Sequence, residues 1–196
     1  MEHREFEWQG NHAALDFVNT LDERLSPQPE ERLSSYAALI EFSRQSHLID
    51  DTAAARLVNV NDQAVWVAGL RLRETLYLVL RAVIDQETPD QGDLLYLETA
   101  IRQAAAARQL VAGDSGFQWS WKEPDSPARP LWELTIVIEE VLLSKNFQRI
   151  KKCAADDCGV LYLDDSRAGS RRWCSMASCG NRHKVQQFRS SRKKSN

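Results

Sequence analysis

Glycine and proline are scarce in this chain, eight and six among 196 residues, and nearly all of them sit at the joints between apolar-periodic stretches rather than inside them. No glycine-rich loop that would cradle a phosphate, no nucleophile elbow and no paired-carboxylate signature is present, so no enzymatic role is expected. No apolar run approaches the roughly 20 residues that a membrane span needs. The opening MEHREFEWQGNHAALDF lacks the apolar segment behind a basic patch that marks a secretory signal. A soluble, cytoplasmic protein without a membrane partner is the expectation. Repeats of solenoid length and long low-complexity tracts are also missing. Cysteine is rare too: there are four, all in the last quarter. In a reducing compartment such a cluster reads as metal ligands rather than disulfides.

What is present begins with charge. The formal net value of −3 hides a division at Lys145. Residues 1–144 carry 12 Lys/Arg against 24 Asp/Glu, and residues 145–196 carry 13 against 4, so −12 precedes +9. Four thiolates on one zinc ion would lower the second figure to roughly +7. A polyanion is the natural partner for such a module.

The acidic part reads as helices. Leu15, Val18 and Leu21 suit a short first helix, and Ser34 or Ser35 can cap a second through Phe42. Asp50 or Asp51 can cap a third near 53–60, a long fourth runs from Gln63 to Gln86, and a fifth spans about 93–108. Alternation of Phe117, Trp119 and Trp121 around a Gly113–Gly116 turn predicts a β-hairpin. Leu131–Lys145 returns to helix and, being densely apolar, is expected to be the most buried. Trp66, Trp132 and the other aromatics are assigned to the core. The fold class is therefore mainly α, a helical domain over 1–148 with one small hairpin, followed by a zinc finger over 149–196.

Within that last segment Cys153, Cys158, Cys174 and Cys179 are spaced C-x4-C-x15-C-x4-C, two pairs that can supply a tetrahedral ion. Four thiolates leave no open coordination position, so the one Zn2+ is structural rather than catalytic. Both pairs end in Cys-Gly, at Gly159 and Gly180, where a positive φ would turn the amides towards the sulfurs. Residues 160–163 and 171–173 are expected to form a hairpin, and a helix should run from 175–181 to about Arg192. This is the order of a treble-clef finger. On the helix, Arg182, Gln186, Arg189 and Lys193 make a stripe about 16 Å long at 1.5 Å per residue. Arg167, Arg171, Arg172 and Lys184 add cations nearby.

The segment Asp164-x-Ser166-Arg167, Ser170–Met176 and Cys179-Gly180-Asn181-Arg182-x-Lys184 closely resembles the CGNR zinc finger family. Leu15–Thr20 and Leu72-Arg73-Glu74 resemble the helical ABATE domain that usually precedes this finger. The resemblance covers nearly the whole chain and implies a stress-response transcription regulator of bacteria. One departure is Ala168, where an asparagine often follows the Ser-Arg pair.

These readings converge on a DNA-binding regulator. Loop cations Arg167, Arg171, Arg172 and Lys184 would hold phosphates, and Arg182, Gln186 and Arg189 would face bases. The alternative is a finger that serves as an adaptor for protein or RNA. His12, Asp16 and Asn19 can share a helix face and form a pocket for a small-molecule effector, although helix capping and satisfied core polar groups are the favoured explanation. A homodimer would suit a palindromic DNA site.

Overall fold

The computed structural model describes residues 6–113 and 116–186. In chain order the elements are α1 (Ala13–Val18), β1 (Leu21–Asp22), β2 (Glu30–Glu31), α2 (Tyr36–Gln45), α3 (Asp51–Leu57), α4 (Gln63–Ile84) and α5 (Gln91–Ala107). They continue with β3 (Arg108–Gly113), β4 (Gly116–Trp121), α6 (Arg129–Leu142), β5 (Ile150–Lys152) and β6 (Leu161–Leu163). A π-helical turn, Met176–Gly180, then leads into α-helix over residues 181–186. The mainly α class with small antiparallel hairpins is what the structure shows. None of the described helices is long and apolar enough to cross a membrane.

The chain divides into two compact units, Arg32–Ser144 and a second made of residues 1–31 together with 145–196. In the first, helix starts follow from side-chain caps. Ser35 accepts from the Ala38 amide at 3.2 Å, Asp50 from Ala53 at 2.7 Å and Asp62 from Val65 at 2.9 Å, each satisfying an amide that the first turn leaves without a partner. Asp90 caps α5 through the Gly92 and Asp93 amides. Tyr36, Ile40, Ile49, Ala53, Ala54 and Leu57 form one buried cluster, against which Trp66 packs. The Trp66 indole donates to the Leu33 carbonyl at 2.6 Å.

The hairpin forms where alternation predicts it, with Leu110 opposite Trp119 and Ala112 opposite Phe117. Its aromatic face, however, does not join the core. Phe117 is 76% exposed and Trp119 61%, while Trp121 lies against Trp132 with ring centroids 5.3 Å apart. The assignment of all aromatics to the core therefore fails at the outer half of β4. Helix α6 is not the most buried either. Five of its fourteen residues are buried against five of six in α1.

The second unit is built around β6. On one edge it pairs antiparallel with β5, Ile150 opposite Leu163 and Lys152 opposite Leu161. On the other it meets the N-terminal segment: Leu163 donates to the Gly10 carbonyl at 2.8 Å. The Asn19 amide, at the C-terminus of α1, donates to the Leu161 carbonyl at 2.8 Å and accepts from the Leu161 amide at 2.9 Å. Asn19 thus supplies a two-bond strand substitute. The return strand expected at 171–173 does not form, because β6 already has partners on both edges and the Arg171 amide donates to the Asp164 carboxylate at 3.1 Å.

Candidate metal centre

Cys153 follows β5 and Cys158 precedes β6, so the first knuckle is the connection of that hairpin, held by Cys153 N donating to Val160 O at 2.9 Å. Cys174 and Cys179 bracket the second knuckle. Its π turn is closed by the Gly180 amide donating to the Ser175 carbonyl at 3.0 Å, an i→i+5 bond. That wider turn accommodates a four-residue gap between ligands, where an ordinary α turn would not. All four sulfurs lie within 4.8 Å of one another. Two of the separations are 3.8 Å for Cys158–Cys174 and 3.5 Å for Cys174–Cys179. A tetrahedral ion with Zn–S near 2.3 Å requires sulfur separations of about 3.8 Å. The donor set and its spacing fit one structural zinc ion.

The surrounding chemistry fits as well. Cys153 Sγ accepts from the Cys174 amide at 3.4 Å and from the Ala155 amide, and Cys158 Sγ accepts from the Val160 amide. N–H groups thus face the sulfurs as expected, but not through positive φ. Neither Gly159 nor Gly180 has it; what excludes a side chain there is close approach. A Cβ on Gly159 would stand 2.9 Å from Arg24 Cβ, and one on Gly180 would stand 2.9 Å from Met176 Sδ. Among the sulfurs, the hydrogen bond from Cys158 holds the Cys153 thiol far below its ordinary range, while sharing with Cys153 pushes Cys158 and Cys174 up. Four thiols this close cannot all ionise until a divalent cation offsets their mutual repulsion.

Asp164, which directly follows β6, is fully buried. It accepts from Lys151 Nζ at 2.6 Å, from the Ser166 hydroxyl at 2.6 Å, and from the amides of Ser166 and Arg171. The ammonium and these donors hold its carboxyl well below the usual range. Arg171, expected to hold phosphate, is turned inward: it donates to the carbonyls of Trp173 and Gln9, each at 3.0 Å, and to that of Cys174. Its guanidinium lies 4.2 Å from the Tyr162 ring centroid. Tyr162 is itself fully buried and therefore belongs to the core of the finger.

The remaining cations are placed differently. Arg167, Arg172 and Lys184 are exposed, as is Gln186. The Arg172 guanidinium stands 5.5 Å over the Trp173 ring, whose other neighbour is His183 at 4.6 Å. Arg182 donates to Cys179 Sγ at 3.0 Å and to Asp157 Oδ2 at 2.9 Å. Arg189 and Lys193 lie outside the described residues, as does the far end of the expected helix.

The three residues considered for an effector pocket have structural duties. His12 Nδ1 accepts from the Ala14 amide at 3.2 Å and caps α1. Asp16, 7% exposed, accepts from the Gly10 amide at 2.7 Å. Burial raises its carboxyl pKa to about 6 against the hydrogen bonds and the Arg171 charge that lower it. Asn19 holds Leu161 and also lines a cavity of about 380 Å³ with Arg24, Asp157, Cys158 and Arg182; neither His12 nor Asp16 reaches that cavity. Sequence reasoning missed that this segment is part of the finger's unit. The Leu15–Thr20 motif was visible, but its partner is backbone 142 residues away.

The class these features define is a mainly helical protein with a C-terminal four-cysteine zinc finger. Comparison with family models carries this further. The model described as "CGNR zinc finger" matches residues 149–192, and that of ABATE, described as "Putative stress-induced transcription regulator", matches residues 11–145. The chain belongs to the ABATE family and carries a CGNR zinc finger. None of the curated proteins compared with it matches.

Proposed function

We propose that this transcription-regulator family member acts by binding DNA through the outer cations of its finger. The observation that carries the reading is the division of labour among those cations. Arg171 and Lys151 are turned to carbonyls and a buried carboxylate, and Arg182, itself exposed, is held by a sulfur and Asp157, whereas Arg167, Arg172 and Lys184 stand exposed on a segment of formal charge +9. With Arg189 and Lys193 they make five candidate phosphate contacts. Zinc holds the scaffold that presents them and takes no part in chemistry.

The test is a mobility-shift titration of the zinc-loaded chain across salt concentrations. Five neutralised phosphates predict a slope of log affinity on log salt near −4.5. Replacing Arg167 and Arg172 together by alanine brings it to about −2.7. No retarded DNA at low salt would overturn the proposal.

A second reading, an adaptor for another protein, draws on a different observation. The hairpin presents Leu110, Phe117 and Trp119 to solvent, each more than half exposed, and contiguous apolar surface of this kind is typical of protein contacts. Retained partner binding after alanine replacement of the finger's outer cations would favour it.

A further inference from the structure

Arg182 differs from the other cations of the finger in what it touches. One terminal nitrogen, Nη2, donates to Cys179 Sγ at 3.0 Å, and the other, Nη1, pairs with Asp157 Oδ2 at 2.9 Å. Cys179 is the last ligand of the second knuckle, and Asp157 immediately precedes Cys158, the last ligand of the first. The guanidinium therefore bridges the two halves of the metal centre across 25 residues of chain. Its position explains its reach. Helical side chains lean towards the N-terminus and cover the preceding turn, so a residue three places after Cys179 falls over that sulfur.

We propose that Arg182 is a positioning residue of the zinc site, clamping the Cys179 thiolate against the first knuckle and slowing loss of the metal. The charge-assisted N–H bond ties the Cys179 sulfur to the first knuckle, so the sulfur cannot swing away from the ion without breaking it. A zinc ion with four thiolates carries a formal charge of about −2, which the guanidinium partly offsets. The pairing with Asp157 contributes little by itself, since the two side chains are 54% and 65% exposed and an exposed ion pair is screened. Its role is to fix the plane of the fork so that the second nitrogen stays on sulfur. Lysine, a point charge on a flexible stem, cannot make both contacts in this way.

The inference rests on the metal centre and not on the nucleic-acid reading, and its test separates the two. Zinc transfer from the full-length, zinc-loaded protein to a metallochromic chelator is followed for Arg182→Ala, Arg182→Lys, Asp157→Ala and Lys184→Ala. Arg182→Ala releases zinc about tenfold faster or more, and Arg182→Lys regains only a small part of that. Asp157→Ala has a smaller effect, which disappears in the Arg182→Ala background because the two act as one unit. Lys184→Ala removes the same charge two residues on and releases zinc at the original rate. In the cobalt-loaded protein, Arg182→Ala moves the sulfur-to-cobalt charge-transfer band to longer wavelength, since a sulfur without its N–H donor gives up electron density more readily. Arg182→Lys, which conserves size and charge, keeps the comparison decisive if the alanine variant does not load metal. Release from the Arg182 variants at the original rate, or equal acceleration by Lys184→Ala, would overturn the proposal. Salt dependence of nucleic-acid binding, where binding is seen, stays unchanged in zinc-saturated Arg182→Ala, whereas Arg172→Ala lowers it.

Discussion

Replacing Asn19 by alanine should destabilise the finger's unit although the residue lies 134 positions before the first cysteine. Its amide makes two hydrogen bonds to the backbone of Leu161, at 2.8 and 2.9 Å, and Leu161 is fully buried. Alanine leaves a buried N–H and a buried C=O without partners, each costing about 1–3 kcal/mol. Because Asn19 lines an open cavity, the lower half of the range applies to each group, about 2–4 kcal/mol in total. For a unit of this size, that is a fall in melting temperature of about 10–30 °C. Cobalt-loaded protein offers the cleanest assay, because loss of the sulfur-to-cobalt band on heating reports the finger's unit alone. Asn19→Asp serves as a companion: it keeps the acceptor for the Leu161 amide but sets a carboxylate against the Leu161 carbonyl, and should be at least as damaging. A change below about 0.5 kcal/mol in both variants, the range of ordinary surface substitutions, would refute the argument that residues 1–31 complete the finger.

Two further outcomes follow from the same unit. The Asp16 carboxyl has its pKa raised from 3.8 to about 6 by burial, so the fold favours its neutral form. That contribution is fully present below about pH 3.8 and is lost as pH rises through about 6, amounting at most to about 3 kcal/mol. Denaturant titrations should show the original chain losing stability relative to Asp16→Asn between pH 4 and 7.5, and parallel curves would contradict the burial account. Gly159→Ala should cost about 1–3 kcal/mol, because its Cβ meets Arg24 Cβ close to the backbone. Gly180→Ala should cost less, because the nearest atom, Met176 Sδ, belongs to a flexible side chain that is 57% exposed. The reverse order in thermal melts would count against close approach as the reason for these glycines.

Much of this was legible in the chain itself. The starts of α2 and α3 were readable because Ser35 and Asp50 cap through their own side chains within three residues, a local interaction that leaves a local trace. The four ligands were readable for the same reason, since tetrahedral coordination demands particular residue types at short spacing. What escaped was non-local. Asn19 and Gly10 bond to the backbone of β6, and a backbone partner imposes no pattern on the sequence it belongs to. The alternation in β4 correctly gave a strand, but period two says only that Phe117 and Trp119 share a face, not that anything covers it. The return strand at 171–173 was lost to competition for the edges of β6, which depends on the N-terminal segment. Arg171 read as a surface cation because composition counts charge and does not show where a guanidinium is turned.

The most direct test of the account is the metal itself. Protein purified without chelator should contain one zinc per chain, and cobalt exchanged into it should give intense sulfur-to-cobalt charge transfer with the ligand-field bands of a tetrahedral site. Replacing any one of Cys153, Cys158, Cys174 or Cys179 by serine should diminish that band, and chelation should unfold the unit that contains them. Absence of bound metal from the purified chain, with the four cysteines recovered as disulfides or as unreactive thiols, would contradict it.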